Sequence, residues 1–414
     1  MPISLSPAHS AWKRPAYALF CIGWGANVFA PMLLLYRQRM GLDDATASAI
    51  FGVYAIALVP ALLMGGLLSD RHGRRPVMRV AVLCSALASM ILITGANREP
   101  LLFLGRLAAG FASGLAFGAG TGWVKELSSG GAESAGARRA AVAMSVGFGT
   151  GGLLGGLIAQ WAPRPEVTPY LLHLGMIAVA IPLAWTAPES PLHLTRHTTV
   201  DAEDEARGML LPLLDRRFRR LILPTAPWVF GLATIAFTVL PRLVSAHTHG
   251  YAIAFAGVMT GVTQLTGVVV QPWAQRRERA GHRDLLLVAL GAGVLALGMA
   301  TLVMVPWSGA TWIVLATAPV FGVAYGVLLV SGLIEVARMA PPRVLGSFVG
   351  VFYVLCYAGF AVPYLLALLE PGIGYAGGFV LCIVAIVGAM ALVAGELRRE
   401  ARSDAEAVAR TIQR

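Results

Sequence analysis

Apolar runs of about twenty residues, each closed by a short polar stretch, repeat along nearly the whole chain. Six lie at about 15–36, 45–69, 76–96, 101–124, 140–162 and 168–187. After a polar stretch at about 188–220, six more follow at about 221–245, 251–274, 284–306, 311–337, 344–369 and 372–396. A helix rises 1.5 Å per residue, so about 20 residues cross a hydrocarbon core roughly 30 Å thick. The pattern predicts an all-α integral membrane protein with 12 transmembrane helices. The first run is too long for a signal-peptide core and follows Lys13 and Arg14, so it reads as a retained span with the N-terminus inside.

The two sets of six are related by a nearly constant offset. Span one begins near 15 and span seven near 221, a shift of 206, and span six begins near 168 and span twelve near 372, a shift of 204. Glu126 after span four has a counterpart in Glu335 after span ten, and each is followed by a basic residue opening the next span, Arg139 or Arg343. This predicts two pseudo-symmetric six-helix bundles at 1–190 and 221–397, joined by a cytoplasmic central loop at 191–220 and followed by a cytoplasmic tail at 398–414. Repeated bundles of this kind can rock about a site between them.

Composition narrows the class further. Of the 414 residues, 57% are hydrophobic and 13% charged, against roughly 25% charged in a soluble domain. A net charge of +11 would suggest nucleic acid in a soluble protein, but here the charges sit in short segments between apolar runs, where they set orientation. Under the even-span topology, 26 of the 32 basic residues fall on one side, while Arg37, Arg39, Arg98, Arg164 and Arg242 fall on the other and Arg106 lies within a span. The positive-inside rule then places both termini in the cytoplasm. Lysine occurs only at Lys13 and Lys125, a bias expected of a GC-rich bacterial genome and hence of a bacterial inner membrane. Cys21, Cys84, Cys356 and Cys382 all lie in apolar runs without a CxxC pair, so neither a disulfide nor a metal site is expected. No cofactor motif is present, and nucleic acid is not an expected partner.

The densest polar feature is Gly-Leu-Leu-Ser-Asp-Arg-His-Gly-Arg-Arg at 66–75, between the second and third runs. Gly66, Leu68, Asp70, Arg71, Gly73, Arg74 and Arg75 match G-x-L-x-D-R-x-G-R-R/K, the first signature of the major facilitator superfamily, which the chain resembles over nearly its full length. The second half carries a weak echo at 271–276, with Gln275 in place of Asp70. The resemblance implies secondary active carriage of a small-molecule substrate by alternating access, in a monomer. It also implies that this turn is a cytoplasmic latch, with Asp70 facing span eleven near Arg343 and Arg74 or Arg75 pairing with Glu126. Plain topology signals would account for the arginines alone.

Two further matches bear on coupling. Arg106 and Gly110 in span four match the R-x-x-x-G core of the family's membrane-embedded arginine motif. Arg106 sits roughly 8 Å below the span's outer end; it reads either as a snorkelling structural arginine or as a cavity residue that holds an anionic substrate or tunes a protonation site. All 21 acidic residues fall in loops or at span ends, unlike proton-coupled relatives with an acid in the membrane. His173 in span six is a candidate proton carrier, with a hydrogen-bonded core residue as the alternative.

In span five, Gly147, Gly151, Gly152, Gly155 and Gly156 form a small-residue run suited to close helix packing. Gly151-Gly152-Leu-Leu-Gly155-Gly156 also resembles the antiporter signature G-P-x-x-G-G of drug exporters, with Gly152 in the proline position. Polar and aromatic residues in the spans that line the cavity of this family are Trp24, Asn27, Thr234, Thr238, Gln264, Tyr325, Tyr353 and Tyr357. The combined expectation is proton-coupled export of a small amphipathic organic compound. Uptake of a small organic anion is one alternative and a ligand-binding membrane sensor another. Intramembrane catalysis is not expected, since the spans hold no paired acids, His cluster or activated nucleophile.

Overall fold

A computed structural model of the protein describes residues 10–128, 133–189, 211–303, 310–341 and 344–412. The described residues are overwhelmingly helical, and no strand occurs among them. Span one is two helices, Lys13–Asn27 and Phe29–Met40, parted by a single turn residue, Val28. Pro31, which has no N–H to offer the preceding turn, lies just beyond the break. Gly41, at φ +65°, ends the span.

Span two, Asp44–His72, starts where Asp43 accepts a hydrogen bond from the Thr46 N–H, and it stops at Gly73 with φ +93°. Spans three to six follow as Arg74–Thr94, Glu99–Glu126, Glu133–Trp161 and Thr168–Thr186. Span seven begins with the short helix Arg216–Leu221, continues as Ala226–Thr234, widens into a π-helical turn at Ile235–Val239 and finishes as Leu240–Leu243. Spans eight to ten are Ala252–Arg279, Leu285–Leu302 and Ala310–Met339. Spans eleven and twelve run nearly into one another: Leu345–Ala358, a 3-10 turn at Gly359–Ala361, then Val362–Ile412 with a non-helical residue at Gly374, φ +67°. In place of the loop expected between residues 369 and 372, two helices meet at a kink at Gly374, where the backbone leaves helical geometry in a conformation that glycine adopts readily.

The chain divides into two compact units. Unit 1 comprises residues 1–199 and 237–268, and unit 2 comprises 200–236 and 269–414. This partition differs from the boundary drawn at 190–221: the later part of span seven and most of span eight belong with the first six spans. The reason is backbone proximity, described below.

Within unit 1, span four packs along spans two and three, and span five along span one. The core there is aromatic, with Trp24, Tyr36, Trp123 and Tyr170 fully buried. Leu83 and Leu87 of span three and Leu172 and Val179 of span six are exposed, as is unit 2's Leu295 in span nine and Val384 in span twelve. In water such faces would invite aggregation; in a hydrocarbon solvent they are the natural exterior. The end of unit 1 bearing residues 66–75, and the end of unit 2 bearing Arg276–Arg283, are called the basic ends below.

Candidate functional site

At the basic end of unit 1, Gly73 brings the backbone of span three against a carboxylate. The N–H groups of Arg74 and Arg75 donate to Glu189, at 2.9 Å and 3.1 Å. These are orphan donors of a helix N-terminus, and an anion satisfies both their hydrogen bonding and the helix dipole. A Cβ at Gly73 would stand 2.8 Å from Glu189 Oε2, so the residue is glycine for space as well as for its φ. The Arg74 guanidinium then lies between Glu126 at 3.0 Å and Asp70 at 2.9 Å and also donates to Ser69 Oγ.

Of the two arginines expected opposite Glu126, Arg74 is thus the one placed there; Arg75 contributes its backbone. Asp70 pairs with Arg74, while Arg343 lies outside the described residues. Arg71 is exposed, and a Cβ on Gly66 would meet open space. Glu189, which clamps the turn, carries no distinguishing signal in the sequence.

Arg106 is 1% exposed and enclosed within unit 1. Its guanidinium donates to the Ala26 carbonyl at 3.0 Å and the Phe51 carbonyl at 3.2 Å, and it lies over the rings of Tyr54, Phe29 and Phe51 at 4.5, 4.6 and 5.3 Å. Ring quadrupoles attract a desolvated cation, so the charge is stabilised by aromatic faces and carbonyls, and no ion pair to it occurs among the described residues. Gly110, one turn below, lets span two approach so closely that a Cβ would overlap the Tyr54 carbonyl.

His173 is equally enclosed. Nε2 lies 3.1 Å from the Cys21 carbonyl, which only accepts, so Nε2 carries the proton; Nδ1 accepts from Ser89 Oγ at 2.7 Å. The ring stacks on Trp24 and fills the space left by Gly25. Both nitrogens are satisfied in the neutral form, the arrangement of a core residue.

The glycines of span five form two faces. Gly147, Gly151 and Gly155, spaced four apart, lie on span one against Phe20, Trp24 and Val28. Gly149, Gly152 and Gly156 lie on span eight against Leu265, Thr260 and Gly257, with a Cβ at Gly156 only 2.6 Å from the Gly257 Cα. Asn27 donates to the Phe148 carbonyl at 2.8 Å across the first face, and Gln264 lies beside Gly149 on the second. Here backbone meets backbone, which holds residues 252–268 to unit 1. Gly257 is a partner that the sequence had not singled out.

At the end of unit 1 opposite the basic turn, Asp44 receives Arg242 of span seven at 3.1 Å and Arg37 of span one, while Arg39 pairs with Glu166 at 2.6 Å. Phe237 packs edge-on to Phe51, and Gln160 holds Gly250 and Ala254. A gap of about 10 Å³ remains between Arg37, Thr238 and Arg242. Only the scarcity of arginine at this end of the spans could have pointed to this closure.

In unit 2 the rings of Tyr325, Tyr357 and Phe360 gather on Phe230, at centroid distances of 5.9, 4.7 and 5.7 Å. Spans seven and eleven can bring them together because Gly359 sits directly on the backbone of Pro227 and Gly231. Thr234 is buried a turn beyond, and Tyr353 packs on Phe352. Tyr325 and Tyr357 were expected from the sequence. Phe230, the ring that joins them, was not, since an apolar aromatic in an apolar span carries no distinguishing signal.

This architecture is that of a multi-span carrier, and comparison with known proteins agrees. A model described as Major Facilitator Superfamily matches residues 16–364, and the chain belongs to that family. It is 27% identical over 353 residues to the "Probable nitrate/nitrite transporter NarK2" of Mycobacterium tuberculosis, covering 79% of this chain and 80% of that one. It is 21% identical over 239 residues to the "Quinolone resistance protein NorA" of Staphylococcus aureus, covering 57% and 58%. A crystal structure of the nucleoside transporter NupG superposes with a TM-score of 0.75 at 14% identity, over 94% of this chain and 99% of that one. The protein is thus a multi-pass membrane transporter of small substrates rather than an enzyme.

Proposed function

We propose that the protein exports a small, aromatic or amphipathic organic compound from the bacterial cytoplasm by alternating access, using the proton gradient, as a monomer in the inner membrane with both termini inside. The observation that carries the substrate class is the cluster of Phe230, Tyr325, Tyr357 and Phe360, whose flat faces and two phenol groups suit a planar ring with a polar edge. Export is supported by the Gly151–Gly156 pattern and by the likeness to NorA. In this reading the 66–75 turn and Glu126 act as the cytoplasmic latch, and the Asp44 cluster with the span five–span eight seam closes the outer side.

Uptake of an organic anion drew its support from Arg106. The enclosed guanidinium removes that support, although the likeness to NarK2 keeps anions in the test panel. Counterflow in proteoliposomes against aromatic, sugar and organic-acid panels decides. Exchange of aromatic compounds, cut at least tenfold in Phe230→Ala, is the expected result. Equal rates in that variant overturn the substrate class, and binding without any movement makes the protein a sensor. An uncoupler should abolish accumulation; indifference to it removes proton coupling.

A further inference from the structure

The segment Leu-Pro-Leu-Leu-Asp-Arg-Arg-Phe-Arg-Arg-Leu-Ile-Leu, residues 211–223, divides its side chains between two jobs. Its helix starts where Asp215 accepts from the Phe218 N–H at 2.7 Å. Phe218, Leu221 and Ile222 are buried, with Phe218 edge-on to Phe348 at 5.7 Å. Two of the four arginines turn the same way. Arg217 bridges Glu335 at 2.8 Å and Glu400 at 2.9 Å, and Arg220 meets Glu396 at 3.4 Å.

The other two arginines turn outward. Arg216 has a 58% exposed side chain and only reaches 4.0 Å from Glu396, and Arg219 is exposed with no ion pair among the described residues. Leu211, Leu213, Leu214 and Leu223 of the same segment are exposed as well, Leu214 at 72%. Inward charge is matched by carboxylates; among the described residues the outward charge meets only the 4.0 Å approach of Arg216 to Glu396, and exposed apolar side chains lie close by in the sequence.

We propose that residues 211–223 form a binding surface for anionic phospholipid, with Arg216 and Arg219 taking the headgroup phosphate and the four exposed leucines taking the acyl chains. A strip of arginine beside exposed leucine, immediately ahead of a span, is the composition that lies in a membrane interface, and anionic headgroups attract arginine there. The chain's own acidic stretch at Asp201–Glu205 is a rival occupant for the arginines. It offers nothing to the leucines, and the lipid accounts for both.

The test titrates phosphatidylglycerol or phosphatidylcholine into the detergent-purified full-length protein and follows the unfolding temperature. Phosphatidylglycerol should raise it and phosphatidylcholine should not. Arg216→Gln with Arg219→Gln should shift half-saturation about 30-fold, roughly fivefold per arginine, while the two Arg→Lys replacements should retain the response. In bilayers, a spin label at Leu214→Cys should be accessible to oxygen and shielded from an aqueous nickel complex. The proposal is overturned if the Gln variant titrates like the wild type, if the label reports water, or if both lipids act alike and the Gln substitutions alter stability without either, the pattern expected when the acidic stretch covers the arginines.

Discussion

The basic ends of the two units pair charge in the same way but draw the cation from different helices. In unit 1 the cation comes from the start of span three, Arg74, and the buried acceptor from the end of span four, Glu126. In unit 2 the acid comes from the end of span eight, Glu278, and the cation from the end of span ten, Arg338, which lies 2.9 Å from Glu278 and also holds Glu335. Both place one guanidinium between two carboxylates. Unit 2 buries its acids more deeply, with Glu278 and Glu335 each 3% exposed, and adds Arg217 from the start of span seven and Glu400 from the last helix. What the two basic ends share is therefore the paired charge, while the helix that supplies the cation differs.

The largest expected effect breaks the clasp in each unit in turn. Arg338→Met leaves two buried carboxylates sharing what remains and should cost about 3–5 kcal/mol. Arg74→Met leaves Glu126 and a largely exposed Asp70 and should cost about 1–3 kcal/mol. Unfolding midpoints in denaturant measure both, and equal losses would mean that burial does not set the difference. Next, exchanging charges with Glu278→Arg and Arg338→Glu together should recover most of the stability that either loses alone. A coupling energy of about 1.5–3 kcal/mol in the double-mutant cycle is expected; a coupling near zero would reduce the pair to coincidental proximity.

Smaller effects sharpen the same contrast. Gly73 and Gly281 both close a basic turn at positive φ, +93° and +90°, but a Cβ at Gly281 would meet nothing. Gly281→Ala should cost only the backbone term, about 1 kcal/mol, whereas Gly73→Ala should cost roughly twice that and release Glu189. Thermal unfolding of the two variants checks the ranking. Smallest is the helix cap. Asp43 accepts from the Thr46 N–H and hydroxyl, which hold its carboxyl below the ordinary aspartate range; Asp284, ahead of span nine, makes no such bond. Asp43→Ala should cost about 1 kcal/mol and Asp284→Ala little. Because the folded carboxyl is the more acidic one, the Asp43 contribution is full above the unfolded value and fades as pH falls through the folded one. The wild-type and Asp43→Ala midpoints should thus converge in strong acid.

Much of the fold was legible because a bilayer imposes one rule on every segment that crosses it: backbone polar groups must bond within the segment, so length and hydropathy alone mark the spans. Asp70, Gly73 and Arg74 stood out for a similar reason, since they belong to a dense motif with a known counterpart, and the resemblance implied Glu126 as a partner for Arg74 or Arg75; that Asp70 would meet Arg74 was not implied. Arg106 and His173 were not. Both are polar residues in apolar runs, and the same letters serve a cavity wall or a sealed box. That Phe29, Phe51 and Tyr54 surround one, and Ser89 and the Cys21 carbonyl the other, came only from the tertiary structure.

The chain alone determined the helical class, the transporter family and the small residues available for close approach. These depend on local properties that each segment carries wherever it goes: apolar length, charge at the ends, and a motif within ten residues. The tertiary structure decided which face each glycine of span five serves, that span eight joins the first unit, that Phe230 gathers the tyrosines, and which arginines are spent on carboxylates. Those outcomes depend mostly on distances between residues fifty or more positions apart, and contact energies fall off within a few ångströms, so no local pattern in the sequence could encode them.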